Sequence, residues 1–219
     1  MKTIAVIPAY NEEKTIGKVI RDTKKFVDEV IVVDDGSTDR TKEIAKRENV
    51  NLIIHRKNLG YGKSLIDGIA KAIKRDADYI ITLDADGQHN PKDIPRFIEE
   101  LNKGYEVVIG SRFAERTSNL TLKRNIALRL LALEFFIFTG LLLKDVQSGY
   151  RGYKAEILKN IEFKEKGMGF SVESLIKLKK KNAKFKEIPI EVKYFKGAKT
   201  FFSVFMQGIE IGKTILKYF

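Results

Sequence analysis

The chain has 219 residues, no cysteine, 43% hydrophobic residues and a formal net charge of +12. That length and apolar fraction fit one large domain with a real core and argue against global disorder. The lack of cysteine excludes disulfides and thiolate metal sites and fits an intracellular protein. The charge is unevenly spread: residues 1–110 hold 19 basic and 19 acidic residues, residues 111–219 hold 22 and 10. The basic second half suits an anionic partner: nucleic acid, an anionic membrane surface or a phosphorylated molecule. Lys177-Leu178-Lys179-Lys180-Lys181 by itself reads as a solvated lysine surface.

The N-terminal apolar run at residues 3–7 ends at Pro8 and is far too short for a signal peptide. It predicts a buried strand, followed by a helix capped by Asn11 with Ile16, Val19, Ile20 and Val27 on one face. A second strand at residues 29–33 closes on Asp34-Asp35-Gly36-Ser37, then a helix covers 41–47 and a third strand 50–54. A helix at 63–74 carries Leu65, Ile66, Ile69 and Ile73 on one side. A fourth strand, 79–83, runs into Asp84; Pro91 opens another helix, and a fifth strand covers 105–109. This alternation predicts a mostly parallel sheet with helices on both faces, whose ligands bind beyond the carboxyl ends of the strands. Those ends carry Pro8–Glu12, Asp34–Ser37, Asp84–Asp86 and Gly110–Arg112.

Residues 120–143 form a long apolar helical stretch interrupted by Lys123, Arg124, Arg129 and Glu134. Charges near its middle make membrane spanning costly, so it is expected to lie at a membrane surface or pack as a core helix. Residues 201–219 read as a further amphipathic helix, suited to a membrane surface or to a membrane-protein partner. The division expected is one unit at 1–200, made of halves at 1–110 and 111–200, then the terminal helix.

Asp84 and Asp86 are two apart at a strand end, so their carboxylates share one face in extended chain. Paired hard oxygens suit Mg²⁺ or Mn²⁺, which bridge protein carboxylates to substrate phosphates. Gln88 and His89 follow closely enough to add a ligand. Gly60-Tyr61-Gly62-Lys63-Ser64 imitates the end of a phosphate-binding loop, but the required earlier glycine position holds Lys57. Those glycines instead suggest a tight loop or a close approach of the backbone to a ligand. The chain has two histidines, His55 and His89, and no nucleophile-elbow or paired-histidine zinc motif, which disfavours a histidine-dependent triad.

The ordered series Pro8-Ala9-Tyr10-Asn11-Glu12, Val33–Asp39, Asn58–Gly62, Asp84–Gln88, Gly110-Ser111-Arg112 and Asp145–Arg151 resembles the motifs of family-two glycosyltransferases. The overall pattern is similar to dolichyl-phosphate mannose or glucose synthases and covers nearly the whole chain. The resemblance implies a GT-A-like fold and inverting transfer of a hexose from a nucleotide diphosphate-sugar to a polyprenyl phosphate. It implies that Pro8, Tyr10 and Glu12 line the nucleotide pocket, with Val33 and Asp35 near base and ribose. Asp84 and Ala85 would contact the donor, and Asp86 with Gln88 would hold Mg²⁺ or Mn²⁺. Arg112 would meet the donor diphosphate or acceptor phosphate, Arg124 the acceptor phosphate, and Lys199 the donor diphosphate from a closing loop. The expected location is cytoplasmic, peripheral on the inner face of the cell membrane, with no nucleic-acid partner. A saccharide hydroxyl as acceptor, and a non-catalytic nucleotide-sugar binder, are the competing readings. Under the first of these Asp145 becomes the candidate general base. Arg151 and Asp145 form either a structural pair across a loop or part of the acceptor site, and Glu173 begins a helix in preference to sitting near the acceptor. The resemblance makes residues 1–110 the nucleotide-sugar half and 111–200 the acceptor half of the catalytic unit.

Overall fold

The computed structural model describes residues 1–113, 122–192 and 212–218, with side chains throughout except at 122–125 and 127. Arg124 lies in a described helix but its side chain falls outside the described residues, as do Lys199 and most of 201–219.

Seven strands form one sheet in the order β3-β2-β1-β4-β6-β5-β7. They are β1 (Thr3–Ala9), β2 (Glu29–Asp34), β3 (Asn51–Ile54), β4 (Tyr79–Thr82), β5 (Val107–Ser111), β6 (Arg151–Lys154) and β7 (Phe185–Pro189). All neighbours pair in parallel except β6, which runs antiparallel between β4 and β5. The helices are α1 (Ile16–Thr23), α2 (Thr41–Arg47), α3 (Tyr61–Ile73), α4 (Ile94–Asn102), α5 (Leu122–Thr139), the single turn α6 (Ala155–Leu158) and α7 (Phe170–Lys180). Residues 212–218 are also helical.

The pleat divides the strands between two cores. Ile4, Val6, Ile31, Val33, Ile80, Val107 and Ile109 meet Leu65 and Ile69 of α3, Phe135 of α5 and Val172, Leu175 and Ile176 of α7. Ala5, Ile7, Val30, Val32, Ile81 and Val108 meet Ile16 and Ile20 of α1 and Ile94, Phe97 and Leu101 of α4 on the other face. With both faces covered, β1 is buried along its whole length, and its near-continuous apolar run follows from that. At 25 cal/mol per Å² or so, such two-sided burial supplies most of the driving force for folding.

The chain goes outward from β1 through β2 to β3, then crosses to the opposite side of β1 to lay down β4. The switch point of the sheet therefore lies between the carboxyl ends of β1 and β4, where open α/β sheets leave a crevice.

Two local expectations are corrected. Asn11 does not cap α1: it has φ 57°, and its Oδ1 accepts from the Thr38 amide at 2.8 Å, bracing the β1 loop against the β2 loop. α1 begins only at Ile16 and ends before Val27. The helix at 61–73 is preceded by Gly60 at φ 103°, where a side chain would collide with the Lys166 carbonyl. The glycines of this loop thus admit the chain's own 165–167 backbone, and Lys63 N donates to Lys166 O at 3.0 Å.

Candidate active site

A cleft of about 370 Å³ opens at the switch point, lined by Pro8, Ala9, Tyr10 and Glu12 from β1, Asp35 from β2, and Asp84, Ala85 and Asp86 from β4. Asn58, Tyr61 and Ser64 close it from the α3 side, and Gln147, Gly149 and Met168 from the second half of the chain. Of the donor residues expected from sequence, Pro8, Tyr10, Glu12, Asp35, Asp84, Ala85 and Asp86 line this cleft; Val33 and Arg112 do not, Lys199 lies outside the described residues, and the expected metal ligand Gln88 is also elsewhere. Val33 is fully buried in the core under α3 and lines no part of the cleft. Gln88 faces a neighbouring depression with Lys18, Asp22, Lys25 and Lys92.

Asp35 is held rigidly. One carboxylate oxygen takes the Leu59 amide at 2.9 Å and the His55 ring nitrogen at 2.7 Å, the other the Gly60 amide at 2.9 Å. His55 in turn reaches Asp67 at 3.0 Å. Asp35 therefore fixes the turn into α3 while presenting to the cleft.

The β4 end is shaped by a tight turn in which Asp86 Oδ1 accepts the Gln88 amide at 2.9 Å around Gly87 at φ 74°. His89 Nδ1 accepts the Asp84 amide at 3.2 Å, so this nitrogen is committed to the turn; the ring packs 5.0 Å from Tyr150. The Tyr61 hydroxyl donates to Asp84 Oδ1 at 3.0 Å. Burial and the Asp84 charge push the Tyr61 pKa well up, keeping it a phenol donor. Thr82 Oγ1 donates to Gly149 O at 2.8 Å and ties β4 to the loop before β6.

Charge in the cleft is one-sided. Burial raises the pKa of Glu12, and the carboxylates of Asp86 and Asp84 raise it further, against the lowering hydrogen bond from Thr15. Glu12, Asp84 and Asp86 line the same cleft, but among the described residues no group of three or more acidic, histidine or cysteine side chains is arranged to hold a metal ion. Asp84 and Asp86 are the side chains that could hold a hard divalent cation if substrate phosphates supplied its other ligands. His89 and Gln88 are turned to other contacts, so the sequence expectation that Gln88 completes the set is not met by this geometry.

Beyond β5, Arg112 pairs with Asp145 in bidentate fashion, Nε to Oδ2 at 2.7 Å and Nη2 to Oδ1 at 2.6 Å, and its own amide adds a third bond at 3.1 Å. Burial alone would raise the Asp145 pKa; the Arg112 charge and hydrogen bonds, with Arg151 further off, outweigh it and hold the carboxyl below its usual value. A carboxylate so committed is a poor proton acceptor. Arg151 is not the partner of Asp145. It is 2% exposed and donates to Ser148 O, Val146 O, Ser171 O and Ser174 Oγ, stitching the 146–148 loop to α7. Glu173 is likewise structural: fully buried in the first turn of α7, it accepts the Lys164 and Glu165 amides and the Lys177 ammonium. Lys180 and Lys181 donate to backbone carbonyls of Tyr218 and Lys159, so the lysine run ties down chain ends as well as facing solvent.

Tyr61, Gln147 and Met168 reach the cleft without any role expected from sequence. The first two stand inside motifs already singled out, which was the only available signal; Met168 had none.

This layout is that of a GT-A glycosyltransferase: a mostly parallel sheet with paired aspartates at a strand end in the crevice. Residues 4–162 match the glycosyl transferase family 2 model. The UDP-N-acetylglucosamine–dolichyl-phosphate N-acetylglucosaminyltransferase of Methanococcus voltae is 34% identical over 212 residues, covering 86% of this chain and 84% of that protein. The dolichyl-phosphate hexose transferase of Haloferax volcanii is 34% identical over 218 residues, covering 97% and 91%. The crystal structure of Mycobacterium tuberculosis glucosyl-3-phosphoglycerate synthase with Mn²⁺, UDP-glucose and phosphoglyceric acid superposes with TM-score 0.78 at 22% identity, covering 99% of this chain and 79% of that one. The chain belongs to glycosyl transferase family 2 and is a glycosyltransferase.

Proposed function

We propose that this enzyme transfers a hexose from a nucleotide diphosphate-sugar to a polyprenyl phosphate, with inversion and with help from Mg²⁺ or Mn²⁺. The observation that carries the reading is that one domain holds both an acidic crevice at the sheet's switch point and an exposed apolar helix face with cations in its groove. Pro8, Tyr10, Glu12, Asp35, Asp84 and Asp86 line the crevice, and the reading assigns the first four to the nucleotide and the two aspartates to its diphosphate. Elsewhere α5 exposes Ile126, Leu130, Leu133 and Ile137, spaced along one face, while Leu128, Leu131 and Phe135 are buried. Phe113, Leu133, Phe136 and Leu142 line a groove there with Arg129 and Lys144 among them. An exposed apolar stripe with cations suits a membrane surface carrying a phosphorylated lipid. No helix among the described residues is long and apolar enough to cross a membrane.

A phosphate oxygen of the acceptor attacks the anomeric carbon; the new carbon–oxygen bond forms as the bond to the diphosphate breaks, and the nucleoside diphosphate leaves. The nucleophile carries about −1.5 to −2 charge at neutral pH, so no side chain has to remove a proton. The bound cation would neutralise charge on the departing diphosphate. Arg112, at the end of β5, is oriented by Asp145 and supplies positive charge near the acceptor side, and Arg124 and Lys199 are proposed to add to it. The commitment of Asp145 to Arg112 disfavours a saccharide hydroxyl as acceptor, because that chemistry needs a base. The relatives named for dolichyl-phosphate transfer point the same way.

Incubating the enzyme with radiolabelled UDP-glucose, UDP-N-acetylglucosamine or GDP-mannose and a polyprenyl phosphate, with and without Mn²⁺, tests the proposal. Cation-dependent label in the organic phase supports it; donor turnover that never labels the lipid contradicts it.

A further inference from the structure

Among the described residues, three buried side-chain atoms lack a hydrogen-bond partner: Thr23 Oγ1, Asp34 Oδ1 and Gln147 Nε2. Of these three residues, Gln147 alone lines the cleft. A buried amide nitrogen without an acceptor destabilises the ligand-free protein, and such an exception in a native fold calls for an explanation.

The surroundings supply one. The backbone on either side of Gln147 is clamped by the buried Arg151 guanidinium, through Val146 O at 2.8 Å and Ser148 O at 2.7 Å. Arg151 is anchored in turn on Ser171 O and Ser174 Oγ of α7, both at 2.9 Å. Two residues on, Gly149 presses the same loop against the β4 end: a side chain there would lie 2.4 Å from the Tyr61 hydroxyl and 3.0 Å from Asp84 Oδ1. The loop is thus fixed from behind and set directly on the Asp84 carboxylate, whose orientation Tyr61 fixes. Gln147, whose buried amide nitrogen lacks an acceptor, and Asp84, a carboxylate acceptor, both line the cleft. A sugar hydroxyl is complementary to that pair, since it donates to the carboxylate while accepting from the amide.

We infer that Gln147 reads a ring hydroxyl of the transferred sugar and sets which hexose the enzyme accepts. The inference rests on the glycosyltransferase reading of this cleft and adds a specificity residue to it. A site built to hydrogen-bond a hydroxyl discriminates against analogues that misplace it, because its own buried group is then left unpaired.

The test compares wild type with Gln147→Met, which keeps the volume and removes the donor. Binding of UDP, GDP, UDP-glucose, UDP-N-acetylglucosamine and GDP-mannose is measured by calorimetry in the presence of Mn²⁺, together with the ligand-free melting temperature. The variant is expected to bind the preferred sugar nucleotide roughly tenfold more weakly, to keep its affinity for the matching bare nucleoside diphosphate, and to melt no lower than wild type. Equal weakening of both ligands, unchanged sugar-nucleotide affinity, or a lower melting temperature would each overturn the assignment. A wild type that binds the diphosphates but none of the three sugar nucleotides contradicts the transferase reading itself, and this inference falls with it.

Discussion

Replacing Asp145 with Asn separates the two chemistries this cleft could run. The carboxylate is 1% exposed and its Arg112 partner 13% exposed, with bonds of 2.6 and 2.7 Å between them. Removing one member of a buried pair costs about 3–5 kcal/mol, because the other is left uncompensated. The remaining solvent access of Arg112 points to the lower end, about 3 kcal/mol. For a chain of this size that is a fall in melting temperature of roughly 6–12 °C. The pH dependence has a definite sign. Asp145 has a depressed folded pKa, so its contribution is present above the ordinary carboxylate value of about 3.9 and is lost as pH falls through the depressed value. The gap between wild type and Asp145→Asn should therefore be full at neutral pH and close only in acid. Thermal unfolding across pH, with transfer rates at a temperature where both proteins are folded, supplies the data. The pH–rate profile of the variant is expected to keep the wild-type shape. An equally stable variant that is slower by roughly a hundredfold or more and has lost a titrating limb would identify Asp145 as a base and refute the reasoning.

Asp86→Ala is expected to abolish cation-stimulated transfer without lowering the melting temperature, and chelation of the wild type should mimic it; an active variant with an unchanged cation requirement contradicts the assignment. Glu12 has a raised folded pKa, so its favourable contribution is present below the unfolded value and lost as pH rises through the folded one. Glu12→Gln should accordingly raise the ligand-free melting temperature near neutral pH and have no such effect in acid, and a lower value at neutral pH would show the repulsion to be unimportant. Replacing Leu130, Leu133 and Ile137 together by Glu should cut sedimentation with anionic vesicles several-fold, since these positions are 60%, 53% and 68% exposed and lose both apolar area and charge attraction. Unchanged vesicle binding would assign the stripe to another partner.

Strands and helices with a clean apolar period were legible. β1, β2 and β4 are continuous apolar runs because both faces are covered, and α2 was bounded as found. β6 was not legible. Its sequence, Arg-Gly-Tyr-Lys, holds a cation that becomes tolerable in the interior only through carbonyls of the preceding loop and acceptors of the distant α7. Gly152 in that strand admits Phe97 and Leu101 of α4, a packing requirement no local pattern announces. β7 is a charged edge strand ending in proline, which reads as loop until β5 is there to pair with it. Within the site, Asp35, Asp84 and Asp86 were placed by their strand ends. Val33 was misplaced because one residue of register turns a side chain from the cleft into the core. Gln88 was misplaced because the Asp86 turn around Gly87 rotates it away. The partner of Arg112 and the clamp made by Arg151 join residues far apart in the chain, and only the folded sheet reveals them.

The most direct measurement offers the enzyme both acceptor classes at once, a polyprenyl phosphate in detergent and a soluble oligosaccharide, with one labelled sugar nucleotide and Mn²⁺. Partition of the product between organic and aqueous phases, corrected for donor hydrolysis, reads the acceptor. The account predicts label in the organic phase as a sugar-phosphate-lipid of inverted anomeric configuration, lost in Asp86→Ala. Label on the oligosaccharide with none on the lipid would contradict it.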